Sequence, residues 1–186
     1  MLDQDAASAG ATGTTGRAPR LEVTHVPAGE GIALWVPEEP PPDLVDGEGP
    51  QLSTYTFQAT ADNTNGSLAL VDTIVPPRNG PPPHTHAEAD ESFYVLEGEF
   101  EVRAGGKTFS IKPGDFAFIP RGTEHIWKNA LDDRPSRMLR IYTPGGMERF
   151  FIDIGRKAVP GEPAPRLTVE DAERAERVAI QHYGEH

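Results

Sequence analysis

Cysteine is absent from this 186-residue chain. That excludes disulfides, thiolate metal sites and cysteine nucleophiles, so a metal would have to be held by nitrogen and oxygen donors. Long apolar runs are missing too: no stretch reaches the roughly 18 residues of a bilayer-spanning helix. The opening MLDQDAASAGATGTTGRAPR has neither the basic head nor the apolar core of a secretory signal, and a cytoplasmic protein without a membrane partner is expected. Basic charge is scarce, with 17 Lys and Arg against 29 Asp and Glu and a net charge of -12. Nucleic acid and anionic membrane surfaces are therefore poor partners, since both attract positive patches. Arg134, Arg137 and Arg140 are spaced for a local basic patch, but read more simply as solvated positions on a loop and strand. No internal repeat, glycine-rich phosphate loop after a strand, or helix-turn-helix pair is present.

What the chain does have is a succession of short alternating segments. After residues 1–20, read as a disordered tail, come LEVTHV (21–26) and IALWV (32–36) as candidate strands. PEEPPPDLVDGEGP (37–50) is a proline-rich loop, long enough to serve as a lid or to be mobile. STYTFQAT, SLALVDTIV, ESFYVLEGEFEVRA, KTFSI, DFAFIP, EHIWKNA and RMLRIYT follow, divided by turn signals such as NTNG, AGG, KPG and PRG. Short strands without intervening helices predict an all-β sandwich or barrel. GMERFFIDIG reads as a short helical or irregular piece and VPGEPAPR as a linker. TVEDAERAERVAIQHYG reads as a C-terminal helix capped by Thr168 and ended by Gly184. The expected division is a tail over 1–20, a single domain over 21–160, and linker plus helix over 161–186.

Two of the six histidines stand in PPPHTHAEADESFYVLEG. On a strand, His84 and His86 point to one face, and Glu91 can rejoin them if AEAD turns back. His125, in GDFAFIPRGTEHIWKN, can be laid beside them by a hairpin. Three imidazoles and a carboxylate suit a first-row divalent metal. A lone His-x-His pair is more often a surface or structural feature than a metal site, so the wider spacing decides. Glu88 and Asp90 read as solvated turn residues, and His25, His182 and His186 as surface positions.

His84, His86, Glu91 and Gly98, followed by Gly114, Pro120, Gly122, His125 and Asn129, resemble the two-part signature of the cupin superfamily. The resemblance implies a double-stranded β-barrel of jelly-roll type with His84, His86, Glu91 and His125 as metal ligands. One position departs from the pattern: Arg78 stands where the family's first motif begins with glycine, which puts only the local turn in question.

Alternation places Phe93 on the face of Glu91 and Trp127 on that of His125. Tyr55, Phe57, Phe118, Met138, Phe150 and Phe151 complete the candidate pocket lining, each of them also suited to core packing, as are Phe116 and Tyr142. Such a pocket suits a flat aromatic ligand better than a sugar phosphate, for which clustered Arg and Lys would be expected. The motif text and TPGGMERFFIDIG further resemble bacterial single-domain quercetin dioxygenases. What that implies is flavonol ring cleavage by O2 with release of carbon monoxide, Glu91 as general base, and one divalent ion. Nickel is favoured by the likeness, with cobalt, manganese, iron or copper also admissible. The expected partners are a small aromatic substrate, O2 and a second copy of the chain, docked through sheet edges such as 21–36. The alternative is a non-oxidative isomerase, cyclase or lyase using the same ion as a Lewis acid.

Overall fold

The computed structural model describes residues 23–38 and 44–183. The tail expected over 1–20 lies outside them, as do Gly184 and part of the proline-rich loop.

Among the described residues, ten strands and two helices follow one another. The strands are β1 (Ile32–Val36), β2 (Ser53–Ala59), β3 (Ala69–Val75), β4 (Asp90–Glu97), β5 (Phe100–Ala104), β6 (Lys107–Ile111), β7 (Phe116–Ile119), β8 (His125–Asn129), β9 (Ser136–Thr143) and β10 (Arg156–Lys157). Helix α1 spans Glu148–Ile154 and helix α2 spans Val169–Tyr183. A seven-stranded sheet has the order β10-β1-β2-β3-β9-β4-β7, and a three-stranded sheet the order β6-β5-β8. All the strand pairs are antiparallel.

The two sheets face each other across one core. Phe93 and Val95 of β4, Ile119 of β7 and Met138 of β9 meet Phe100 and Val102 of β5 and Trp127 of β8. Burying each large side chain of this kind stabilises by about 1.5–3 kcal/mol. This is the expected all-β jelly roll, built as two packed sheets rather than a closed ring. A second cluster carries Leu34, Tyr55, Phe57, Tyr142, Phe151 and Ile154, and Ala175 and Val178 of α2 pack onto it. The C-terminal helix thus docks beside α1 over this cluster, through a narrow face.

The strict period of two explains most of the pattern. In β9, Ser136, Met138, Arg140 and Tyr142 are buried in alternation with partly exposed neighbours. In β7 the same rule turns Ala117 and Ile119 inward and leaves Phe116 62% and Phe118 53% exposed. Phe118 therefore lies on the outer face opposite Ser92, and its expected place in the pocket lining is corrected.

Other expectations change as well. LEVTHV is not a strand over 23–26: the chain there is irregular, and Val23 is fully exposed. IALWV is β1, between β2, which pairs along its whole length, and β10, whose Arg156 and Lys157 pair with Trp35 and Leu34. Arg140, read as solvated, is 1% exposed, because its position in β9 faces the interior. Asp90, read as a solvated turn residue, is held by the backbone N–H and guanidinium of Arg121. Those hydrogen bonds, Arg121's side chain first, lower its carboxyl to about 2.

Motif positions that bind nothing have structural roles. Asn129 donates to the carbonyls of Val75, Pro76 and Arg134, while its Oδ1 accepts from Ser136 Oγ. It stitches the ends of β3, β8 and β9 together. Gly98 adopts φ +79, and a Cβ there would fall 2.0 Å from Ser136 Oγ. Arg78 adopts φ +56, a left-handed conformation that a glycine takes without strain. The turn geometry expected of a glycine is thus kept by an arginine.

Candidate metal centre

The loop after β3 brings the first histidines back across the start of β8. His84 and His125 exchange backbone hydrogen bonds, His84 N to His125 O at 3.0 Å and His125 N to His84 O at 2.9 Å. Gly122 N donates to the carbonyl of His86 at 2.8 Å, fixing the second histidine against the turn before β8. Arg121 in that turn grips Asp90, which precedes Glu91 at the head of β4. Two loops and two strands are thereby locked around one point.

At that point ligand atoms of His84, His86, Glu91 and His125 all lie within 4.8 Å of one another. Glu91 Oε2 is 2.9 Å from His125 Nε2 and 3.3 Å from His86 Nε2. The imidazole rings of His84 and His125 are 4.2 Å apart, and those of His84 and His86 4.9 Å. Outer hydrogen bonds set the ring orientations. His84 Nδ1 lies 2.9 Å from the carbonyl of Pro82, and His125 Nδ1 2.9 Å from that of Thr123. A ring that donates from Nδ1 presents a bare Nε2 lone pair, the arrangement metal-ligating histidines share.

His86 supplies the sharpest test of fit. It is 6% exposed, yet Nδ1 has no hydrogen-bond partner and Nε2 has only the 3.3 Å approach of Glu91 Oε2, which is no well-formed hydrogen bond. A buried polar atom left so costs about 1–3 kcal/mol. A metal ion at the convergence point would satisfy Nε2, and the donor set of three imidazoles and one carboxylate suits a divalent transition ion. The residues fit the group that the sequence implied.

Electrostatics prepare the same state. Burial pushes the His84 imidazole down, with His125 adding to the effect, to about 4, so it is neutral at pH 7 as a ligand must be. Burial alone would push the Glu91 carboxyl up. The Arg140 guanidinium, with His125 and His86, overrides that and holds it well below the usual carboxylate range. Arg140 Nε donates to Glu91 Oε1 at 2.8 Å, so one carboxylate oxygen faces the guanidinium and the other the imidazoles.

Arg140 is the functional residue that the sequence reading missed. It also donates to the hydroxyls of Tyr55 and Tyr142, and lies 4.7 Å from the ring of Trp127 and 5.4 Å from that of Phe151. Tyr55 in turn donates to Glu38 at 2.9 Å. The available signal was the alternation of β9, which puts position 140 on the face of Met138. Of the expected pocket lining, Tyr55, Trp127 and Phe151 surround Arg140. Phe57, Phe93 and Met138 are sealed in the two core clusters, and Phe150 is half-buried against the second. His84 is the most exposed of the four candidate ligands, so the centre is approached from its side.

Residues 71–142 match the family profile described as the cupin domain. Quercetin 2,3-dioxygenase of Bacillus subtilis is 32% identical over 138 residues, which are 72% of this chain and 38% of that protein. The chain thus spans well under half of that relative's length. Polyketide synthase CurC of Streptomyces cyaneus is 30% identical over 135 residues, 71% of this chain and 86% of that protein. The crystal structure of an RmlC-like cupin from Shewanella frigidimarina superposes with a TM-score of 0.50 at 19% identity, over 69% of this chain and 98% of that one. That last likeness is one of fold alone.

Proposed function

The chain belongs to the cupin family, and from that premise we propose that it is a metal-dependent dioxygenase opening the central ring of a flavonol such as quercetin with O2, with release of carbon monoxide. The observation that carries the reading is the convergence of three imidazoles and one ionised carboxylate on a single point, with His86 otherwise unsatisfied. The 32% identity to a quercetin 2,3-dioxygenase supports the choice of substrate.

His84, His86, Glu91 and His125 would hold one divalent transition ion, nickel being favoured by the likeness. Bound there, the ion would supply Lewis-acid stabilisation of a substrate oxyanion. The chain's own groups do the rest. Glu91 stands ready as the anion, the state from which a general base starts. Its Oε1 is taken by Arg140, so a proton from the substrate hydroxyl would be received at the Oε2 lone pair not used toward the ion, on the side of the imidazoles. The fixed positive charge of Arg140 near the centre favours an anionic oxygen ligand such as a flavonolate. Because that guanidinium is committed to Glu91, Tyr55 and Tyr142, it is no free anchor for a phosphate. A flat aromatic substrate entering from the His84 side remains the class that fits. Work as a cytoplasmic homodimer is part of the same proposal, supported by family likeness.

A second reading has its own support: the relative matched over 86% of its length is named a polyketide synthase, not an oxidase. In that case the same centre serves a cyclase, isomerase or lyase that needs no O2. Quercetin loss followed by its absorbance, with and without O2, separates the two. Loss only in the presence of O2, with carbon monoxide evolved, supports the dioxygenase; turnover that persists without O2 contradicts it.

A further inference from the structure

A buried arginine bonded to a candidate metal ligand is an unusual use of charge, since a guanidinium near a cation opposes its binding. Arg140 nevertheless has no freedom to move away. Its Nε donates to Glu91 Oε1 at 2.8 Å, one terminal nitrogen donates to Tyr55 and the other to Tyr142. The plane is enclosed by the rings of Trp127, Tyr55, Tyr142 and Phe151, with its central carbon 4.7 to 5.4 Å from their centres. Tyr55 is fixed in its turn by Glu38, which stands just beyond β1. The result is a chain Glu38, Tyr55, Arg140, Glu91 running from the edge of the proline-rich segment to the centre.

We infer that Arg140 is a positioning residue that restricts Glu91 to one donor oxygen, and that Tyr55 and Glu38 hold it in that task. With Oε1 occupied, Glu91 offers only Oε2 beside the three imidazoles. A carboxylate free at both oxygens can chelate, as carboxylates often do on hard cations. Denying that mode keeps an additional position at the ion open for water, substrate or O2. The inference rests on the metal reading and goes beyond it by assigning to this chain a control over how many exchangeable ligands the ion carries.

The test uses Mn2+, an ion suited to oxygen and imidazole donors, whose unpaired electrons make coordinated water countable by water-proton relaxation. The full-length protein would be stripped of metal and reloaded with Mn2+, as wild type, Arg140→Met, Arg140→Lys, Tyr55→Phe and Glu38→Gln. Stoichiometry would come from elemental analysis and folding from circular dichroism. Arg140→Met is expected to bind Mn2+ with about one exchangeable water fewer than wild type, as Glu91 closes on the ion with both oxygens. Arg140→Lys keeps the charge without the three-way fork and should fall between the two. Tyr55→Phe and Glu38→Gln, which leave the guanidinium in place, should show a smaller loss in the same direction. If Arg140→Met fails to fold, those two variants decide. Unchanged relaxation in every folded, Mn2+-loaded variant overturns the inference and leaves the metal centre standing. Wild type that takes up no Mn2+, Co2+ or Ni2+ overturns the metal reading itself, and the inference with it.

Discussion

At the scale of single residues, each proposed ligand can be removed with a distinct expectation. His84→Ala, His86→Ala and Glu91→Gln should each weaken metal binding by more than the roughly 10–100-fold that outer-shell changes cost, measured by metal content after dialysis against a competing chelator. Retained stoichiometry in all three would remove the centre. Glu38 carries a pH dependence. Burial, helped by the like charge of Glu91 and opposed by Arg140 and the hydroxyls of Tyr55 and Ser53, raises its carboxyl from 4.5 to about 7. A folded value above the unfolded one contributes stability that is present below about pH 4.5 and lost as pH rises through about 7. Glu38→Gln should therefore flatten the fall in Tm between about pH 5 and 8; parallel curves for wild type and variant would contradict this assignment. The cluster of four candidate ligands was legible because His84, His86, Glu91 and His125 follow a set spacing along the chain, each lying at a strand end or turn. Arg140 was not, because a charged residue on a short strand looks solvated until its partners, Glu91 on β4 and Tyr55 on β2, are known to face it.

At the scale of elements, alternation gave the inward faces of β4 and β8, and it was not carried through elsewhere. Phe118 was misplaced because alternation alone does not say which face of β7 is the inner one; Ala117 and Ile119 turn inward and leave Phe116 and Phe118 outside. LEVTHV alternates but has no neighbouring strand to pair with over 23–26, and pairing, not pattern, makes a strand. The C-terminal helix was legible from its cap. Asp171 N donates to Thr168 Oγ1, and Asp171 Oδ2 accepts from Thr168 N at 3.0 Å, a reciprocal box. Thr168→Ala should cost about 1 kcal/mol, read as a lower Tm. Gly98→Ala should cost more, about 1–3 kcal/mol, because the turn between β4 and β5 needs φ +79 and a Cβ would collide with Ser136. A Tm within error of wild type for either variant would contradict the corresponding turn or cap.

At the scale of the whole molecule, the centre joins parts that are far apart in sequence. The loop carrying His84 and His86, the head of β4, the turn before β8 and the middle of β9 meet there. A metal that binds only this folded arrangement should raise the Tm, by the equivalent of about 2.7 kcal/mol at a free concentration 100 times the Kd. Among the described residues no helix is long and apolar enough to cross a membrane. The measurement that tests the account most directly is oxygen uptake with quercetin by the metal-free protein and by samples reloaded separately with Ni, Co, Mn and Fe. The account predicts uptake that requires a metal, matches the flavonol lost and disappears in Glu91→Gln. No uptake with any of these ions, from protein shown to have bound them, would contradict it.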